Sequence, residues 1–251
     1  MHRTVPELIV ENFRAGRYSG EFQAVGMFLD LSGFSTMTDT LMKHGQHGAE
    51  VLAGLMHGVF DPLVESIFDY GGKIIGFAGD GIMALYPVEE DARSTALRAL
   101  TSASLIHKRF EENPTRETMY GDFAIYAKIG LGSGTVSWGI LTSPEGEQAT
   151  YYFRGAAVDE SAHAEHHAKP GDIVLTESIY RLLHDSIETF PFASHWGFRH
   201  FLVERPAPIH MELPPVDVDI ARRFMPEEVI VHDMPGEFRQ VVNLFMRFPD
   251  L

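Results

Sequence analysis

The sequence predicts a mixed domain, α/β or α+β rather than all-β, because two kinds of apolar pattern alternate along the chain. Short apolar runs, bounded by glycine or polar residues, are typical of buried strands. Longer segments repeat their apolar residues every three or four positions, as an amphipathic helix does. The clearest pair of strands flanks the turn Gly79-Asp80-Gly81, which is a β-hairpin pattern.

The other elements follow from the same two patterns. The predicted strands cover residues 24–31, the hairpin arms within 71–86, and residues 123–131, 135–141, 149–154 and 173–176. The predicted helices begin with a short one after the turn 32–35 and continue with residues 49–70, 89–110, 155–169 and 177–183. The second of these helices contains Pro62, which we expect to kink it or to break it in two. Its apolar stripe favours a core helix over a dimer face.

Composition sets limits on what the chain can do. At 251 residues it can form one well-buried domain with extensions, and its net charge of −15 argues against nucleic acid or anionic membranes as general partners. It contains no cysteine, which excludes disulfides and suits a reducing compartment. We see no apolar run of the ~20 residues that cross a bilayer and no signal-peptide pattern. We therefore expect a cytoplasmic protein with no membrane span.

Two aspartates stand out because each is set among apolar residues. Asp30 follows Val25-Gly26-Met27-Phe28-Leu29, and Asp80 occupies the hairpin turn. An ionised carboxylate in such a place is unfavourable unless a cation meets it. Two carboxylates on adjacent strands suit Mg²⁺, which takes oxygen ligands and fills its other positions with water and phosphates. The alternative for Asp80 alone is a simple turn residue, since Asp is common in tight turns.

The turn after the first strand offers a second part of such a site. Ser32-Gly33-Phe34-Ser35 leads from a strand into a helix, with Ser35 or Thr36 as a plausible N-cap. Backbone N–H groups at a strand-to-helix turn can bind phosphate oxygens. A purely structural turn has the same geometry, so this segment does not decide between the two interpretations.

These motifs resemble a known family. The segment 28–35 followed by the hairpin 71–86 is similar to the adenylyl/guanylyl (class III) nucleotide cyclases, and the greatest likeness is to the first catalytic half of the bicarbonate-responsive soluble adenylyl cyclases. The likeness extends over residues 22–179. It implies a ferredoxin-like α+β fold, a mainly antiparallel sheet with helices packed on one face.

The resemblance also implies a chemistry. Asp30 and Asp80 would hold Mg²⁺ or Mn²⁺, two ions in all, with the Leu31 carbonyl as a further ligand. The metals would activate the 3′-hydroxyl of a nucleoside triphosphate for attack on the α-phosphorus as pyrophosphate leaves. The phosphates would bind to the backbone of Gly33, Phe34 and Ser35 and to Lys128.

Cyclases of this family build their active site between two domains, and the facing domain supplies a base-selecting lysine, an asparagine and an arginine. Here those partner-type positions hold Gly76, Asp159 and His163. The resemblance therefore implies a metal-donating half that needs a complementary domain, and a homodimer should be a poor enzyme. Bicarbonate regulation should be absent, since the lysine and arginine that bind it are replaced by Gly76 and Ala162.

The chain is expected to divide into three parts. Residues 20–204 form the cyclase homology domain, and the proline-rich residues 205–235 form a linker. Residues 236–251 are predicted to be the first strand of a second cyclase-like domain, because Gly236-Glu237-Phe238 and the apolar residues after it echo Gly20-Glu21-Phe22 and theirs. The partner domain would then lie in the same longer chain. Chance similarity is the alternative, because the match is short.

Two other features are given little weight. His163, His166 and His167 share a predicted helix, and zinc can use histidines four apart, but no third ligand or zinc motif lies nearby in sequence. The segment Gly130-Leu131-Gly132-Ser133-Gly134 misses the dinucleotide-binding spacing, and we interpret it as a joint between two strands.

The function expected from sequence is that of a half-cyclase converting ATP to cyclic AMP and pyrophosphate, with ATP favoured over GTP only by the resemblance. One alternative is a catalytically inactive regulatory or dimerisation module, which Gly76, Asp159 and His163 favour. Another is a polymerase-like phosphoryl-transfer enzyme, which the residues around Asp80 disfavour.

Overall fold

The computed structural model describes residues 5–209 and 217–226. Its strands are β1 Ser19–Ser32, β2 Lys73–Ala78, β3 Gly81–Pro87, β4 Thr115–Thr118, β5 Gly121–Ala124, β6 Tyr126–Thr142, β7 Ala149–Arg154, β8 Ile173–Leu175, β9 Ile187–Phe192 and β10 His195–Phe201. Its helices are α1 Glu7–Arg14, α2 Phe34–Met42, α3 Gly45–Asp69, α4 Ala92–Glu112, α5 Ala156–His167, α6 Glu177–Leu183 and α7 Val218–Phe224.

One large sheet organises the domain. Its strands lie in the order β2-β3-β1-β6-β8-β10-β9, β7 also pairs with β6, and β4 and β5 form a separate small hairpin. Among these pairs β6 and β8 are parallel, and the others are antiparallel. The predicted α+β class with a mainly antiparallel sheet is confirmed.

The centre of the sheet is the long pairing of β1 with β6. It runs without a register break from Ser19 opposite Gly139 to Ser32 opposite Tyr126, and it places Asp30 opposite Lys128. The prediction of two strands joined at residues 130–134 was wrong, since β6 continues through them. Glycine has a low preference for strands, but β1 is long enough to pair with β6 along the whole glycine-rich segment and to keep it extended.

Different helices cover the two faces of the sheet, so the expectation that all helices pack on one face was wrong. On one face, Met27, Leu29 and Leu31 are buried in the main core with residues of α2, α3 and α4. On the other face α5 approaches so closely that a Cβ at Gly26 would lie 2.0 Å from the Ala157 carbonyl oxygen. A Cβ at Gly130 would lie 2.2 Å from the Ser161 carbonyl oxygen. The glycines of β6 are therefore needed for helix packing.

The helix α3 runs unbroken through Pro62, against our expectation of a break. Burial of Val59, Leu63 and Ile67 on either side of the proline holds the helix together despite the hydrogen bond that proline removes. By length and composition alone, α3 could also cross a membrane, since its apolar 18-residue stretch has a mean hydropathy of 1.4. In the fold, 22% of that stretch is buried. Core helices of globular proteins meet the same criteria, so the expectation of no membrane span stays a prediction.

Part of the predicted linker docks on the domain. The helix α7 places Phe224 against Phe13 of α1, with ring centroids 5.3 Å apart, and against Tyr151 of β7 at 6.0 Å. Arg14 donates a hydrogen bond of 2.6 Å to Asp217, which also caps α7 through the Ile220 amide. The predicted second-domain strand, residues 236–251, lies outside the described residues, and the proposed domain boundaries remain predictions.

Candidate active site

The two aspartates lie at one end of the sheet because of how β1 and β3 pair. The last pair is Leu29 with Ile82, so Asp30 and Leu31 extend beyond β3, next to the turn that carries Asp80. The turn is tight, and Gly79 adopts a left-handed conformation with φ of 67°. Strand pairing thus brings together two carboxylates that are far apart in sequence.

The Leu31 carbonyl is directed to the same side. A Cβ built at Gly81 would lie 3.3 Å from the Leu29 carbonyl oxygen, so that carbonyl points toward β3. Carbonyls two residues apart in a strand point the same way. The Leu31 carbonyl therefore points past the end of β3, toward the side on which Asp80 lies. The backbone geometry is compatible with Leu31 as a third oxygen ligand.

Asp30 is neutralised by a lysine shared between two acids. Lys128 Nζ lies 2.7 Å from Asp30 Oδ2 and 2.7 Å from Glu165 Oε1. The side chains are only 29%, 22% and 10% exposed for Asp30, Lys128 and Glu165 respectively. Burial by itself lowers the pKa of Lys128, but its hydrogen bonds to Asp30 and Glu165 outweigh that effect and raise the pKa. The lysine is therefore held charged.

Asp80 lacks such compensation. Partial burial, and to a smaller extent the negative charge of Asp30, raise the pKa of Asp80. A backbone hydrogen bond and the positive charge of Lys128 lower it, but they do not outweigh the first two effects. A divalent cation between the carboxylates would offset both effects, because it stabilises the ionised form of Asp80. The donor set of two carboxylates and a backbone carbonyl is one that Mg²⁺ or Mn²⁺ prefers, so the residues present fit such an ion.

The predicted phosphate-binding turn begins α2. Gly33 has φ of 93°, and a Cβ there would lie 2.1 Å from the Ala124 carbonyl oxygen, so this position requires glycine. The first intrahelical donor is the Met37 amide, which bonds the Gly33 carbonyl at 3.2 Å. The amides of Phe34 and Ser35 precede it and have no carbonyl partner within the helix. They can face an anion, as the prediction requires.

The partner-type positions have other surroundings. Gly76 lies on β2 beside a register shift, and a Cβ built there meets nothing within 4 Å. Asp159 is exposed in the first turn of α5, and His163 is exposed one turn further on. Among residues 5–209 and 217–226, no lysine or arginine forms a salt bridge with Asp159, and Gly76 has no side chain to form one.

Comparisons with known proteins find relatives named as adenylate cyclases. The chain is 32% identical over 185 residues to adenylate cyclase type 10 of Rattus norvegicus, an alignment covering 71% of the chain and 11% of the relative. It is 28% identical over 253 residues to adenylate cyclase type 10 of Homo sapiens, covering 96% of the chain and 14% of the relative. No protein-family model matches the chain.

A solved structure with the same fold is the guanylate cyclase domain of RhGC from Catenaria anguillulae in complex with GTP. It aligns with a TM-score of 0.55 at 19% identity, covering 74% of the chain and all (100%) of that domain. The described domain is a class III nucleotide cyclase homology domain. The chain spans about a tenth of the length of the curated relatives it matches, 11% in the rat protein.

One residue of the cyclase domain that sequence reasoning missed is Glu165, which holds Lys128 beside Asp30. Its signal was present, because Ala157, Ser161 and Glu165 recur every fourth residue, on one face of α5. Ala157 and Ser161 are fully buried, and Glu165 is 7% exposed. A glutamate on a buried helical face implies a cationic partner.

The cyclase domain also contains a histidine cluster, which sequence reasoning gave little weight. His163 and His167 of α5 meet His195 of β10, and one ring nitrogen from each lies within 4.8 Å of the others. His195 is buried, at 8% exposure, whereas His163 is exposed. Burial, followed by the charges of His163 and His167, lowers the pKa of His195. A third histidine, which is not near α5 in sequence, is therefore supplied by a distant segment. His195 has no local sequence signal, since only the tertiary fold brings it to α5.

Proposed function

We propose that the chain is the metal-donating half of a nucleotide cyclase, which converts ATP to cyclic AMP and pyrophosphate together with a complementary domain. The observation that carries this is the meeting of Asp30, Asp80 and the Leu31 carbonyl at one end of the sheet, beside Lys128 and the turn that begins α2. The adenylate cyclase name of the relatives supports ATP as the substrate.

In the proposed reaction, the ribose 3′-oxygen forms a bond to the α-phosphorus as the bond from that phosphorus to the bridging oxygen of the β-phosphate breaks. Pyrophosphate leaves with the electron pair of that bond, and the 3′-hydroxyl proton passes to solvent. Mg²⁺ or Mn²⁺, held by Asp30, Asp80 and the Leu31 carbonyl, would supply Lewis-acid stabilisation of the developing negative charge. The amides of Phe34 and Ser35 would orient the triphosphate for in-line displacement.

Lys128 has two parts in this proposal. Without substrate it neutralises Asp30, and Glu165 holds it in place. A divalent ion on Asp30 would neutralise that carboxylate in place of Lys128, and it would repel the lysine ammonium because both are positively charged. The lysine ammonium, still hydrogen-bonded to Glu165, would then be available to the substrate phosphates as a point charge.

A second domain is needed because the partner-type positions of this chain cannot serve a second copy. Gly76 has no side chain to select a base, and Asp159 would repel a triphosphate. We propose that the complementary domain belongs to the same longer protein, and that the domain acts in the cytoplasm. A homodimer of this chain should have little activity.

The test is to incubate the purified chain with Mn²⁺ and ATP or GTP, with Asp30→Asn as control, and to look for cyclic nucleotide by mass spectrometry. We expect metal-dependent ATP binding with little product, and loss of that binding in Asp30→Asn. Abundant product that disappears in Asp30→Asn would contradict the half-site proposal, because it would require a working homodimeric site.

The second candidate function is an inactive cyclase-like module that serves regulation or dimerisation. The ion pair between Asp30 and Lys128 favours it, since a lysine can replace a metal as the structural counterion of a buried carboxylate. Absence of both product and metal-dependent nucleotide binding would establish this alternative over the cyclase.

A further inference from the structure

We infer that His163, His167 and His195 form a zinc-binding site that joins the end of α5 to the β9–β10 hairpin. This site is separate from the carboxylate pair and does not depend on the proposed cyclase activity. Its three ligand nitrogens all lie within 4.8 Å of one another. Three histidines with a further position for water make up a known donor set for Zn²⁺.

Helical spacing provides the first two ligands. His163 and His167 are one turn apart on α5, and their ring centroids are 4.8 Å apart. Residues four apart share one face of a helix, so both rings can bind one ion without any change in the backbone. His167 is the last residue of α5.

The hairpin provides the third ligand. His195 begins β10 directly after the turn Ala193-Ser194, and its ring centroid is 5.1 Å from both His163 and His167. Ala193 has φ of 51°, a left-handed conformation that is unfavourable for alanine. This unfavourable turn places the buried imidazole of His195 against α5.

A neighbouring hydroxyl orients that imidazole. Ser194 Oγ lies 3.0 Å from His195 Nδ1. In the tautomer in which Nδ1 donates to this oxygen, Nε2 carries the lone pair that a metal requires. Histidine ligands usually donate their second ring N–H to such an outer partner, which fixes the orientation of the ring.

The cluster requires only a modest contraction to bind zinc. Zn–N bonds of about 2.0–2.1 Å in a tetrahedron place the nitrogens roughly 3.3 Å apart. The separation of up to 4.8 Å can close by small side-chain rotations, since His163 is exposed and His167 is partly exposed.

The site would change what His163 can do. By resemblance, His163 stands where the facing domain of a cyclase carries its phosphate-binding arginine. As a zinc ligand it would be held against His195 at the end of α5. The chain would then use this position to fasten a helix to a hairpin, and a complementary domain would have to supply the arginine.

The experiment is a zinc titration of the metal-free full chain, with isothermal calorimetry for affinity and Co²⁺ absorption spectroscopy for tetrahedral nitrogen ligation. We expect one zinc ion per chain. His163→Ala and His167→Ala should each weaken binding by more than the roughly 10–100-fold that loss of an outer partner costs. His195→Gln tests the buried ligand, and Ser194→Ala should weaken binding about 10-fold.

His166→Ala is the matched control, because His166 lies on the same helix but outside the three-nitrogen group. It should leave zinc affinity unchanged, and so should Asp30→Asn, which alters only the carboxylate site. The proposal is overturned if the wild-type chain binds no zinc, or if His166→Ala weakens binding as much as His163→Ala. It is also overturned if zinc binding survives in the double variant His163→Ala/His167→Ala, which keeps the buried His195.

Discussion

The domain offers two places where a metal ion could bind, and they differ in almost every respect. The site around Asp30 and Asp80 consists of oxygen atoms, carries a net negative charge and contains its own counterion, Lys128. The cluster around His195 consists of imidazole nitrogen atoms and includes no acid among its three members. Hard Mg²⁺ suits the first and Zn²⁺ the second.

The two places share one element, α5. Its buried face places Glu165 on Lys128, and its C-terminal end carries His163 and His167. Its close packing on the sheet, where β1 and β6 contribute glycines, sets the distance of both groups from the strands. A change in the seating of α5 should therefore affect both places, whereas a change in one ligand should affect only its own.

The largest effect we expect is on the carboxylate side. Asp30→Asn should weaken Mn²⁺ binding by at least about 100-fold, because it removes a charged ligand of a hard cation. Mn²⁺ binding can be measured by electron paramagnetic resonance of the free ion. Asp39→Asn, at an exposed aspartate of α2, is the matched control and should not change it. Equal loss in both variants would show that the binding reflects net charge rather than a site.

The next effect concerns the histidine side. Zinc at 100 times its dissociation constant should stabilise the fold by about 2.7 kcal/mol, which raises the Tm of a domain of this size by roughly 5–11 °C. A chelator should reverse the rise in thermal unfolding followed by circular dichroism. His163→Ala should show no zinc-dependent rise. A rise of the same size in that variant would mean that zinc stabilises the chain from elsewhere.

The third-largest effect should come from a change in how α5 packs on the sheet, which should weaken metal binding at both sites together. Gly130→Ala adds a methyl group 2.2 Å from the Ser161 carbonyl oxygen, and we expect a loss of about 1–3 kcal/mol of stability. Gly76→Ala has open space and is the matched control. Denaturant unfolding and the two metal titrations measure the outcome. Undiminished affinity for both metals in Gly130→Ala would show that α5 does not couple them.

The smallest effect concerns Asp80, whose pKa is raised above the ordinary value of 3.8 by burial and, to a smaller extent, by the negative charge of Asp30. Because the pKa of Asp80 is higher in the folded state, the protonated carboxyl favours folding. This contribution to stability is fully present below pH 3.8 and is lost as the pH rises through the raised pKa. Asp80→Asn mimics the protonated form. Without metal it should therefore raise Tm at pH 7 by about 1–3 °C, for a gain of well under 1 kcal/mol given the partial exposure.

The same variant has an internal check in its pH dependence. The gain from Asp80→Asn should shrink toward pH 3, where the wild-type carboxyl is itself protonated, and it should reverse when Mn²⁺ is added. Thermal scans at several pH values measure both. A gain that does not vary with pH would assign it to packing instead of to charge.

Local patterns were enough to predict the elements that surround the first site. Asp30 ends an apolar run, Asp80 lies between glycines in a hairpin, and Gly33 follows a strand, so each carries its signal within a few residues. Residues 236–251 and the identity of the partner domain stay predictions. The errors in the fold came where tertiary packing overrides local preference: β6 passes through its glycines because β1 pairs along it, and α3 passes through Pro62 because its flanks are buried.

The sequence alone determined the mixed class of fold and singled out Asp30 and Asp80, because strand periodicity and turn chemistry act over short distances. The partner-type positions are what the family resemblance implies, and they stay predictions. Only the tertiary structure decided that Lys128 is held between Asp30 and Glu165, and that His195 completes a cluster with His163 and His167. The physical reason is the same in both cases. These groups meet through the packing of α5 on the sheet, and the surfaces that pack are contributed by segments far apart along the chain.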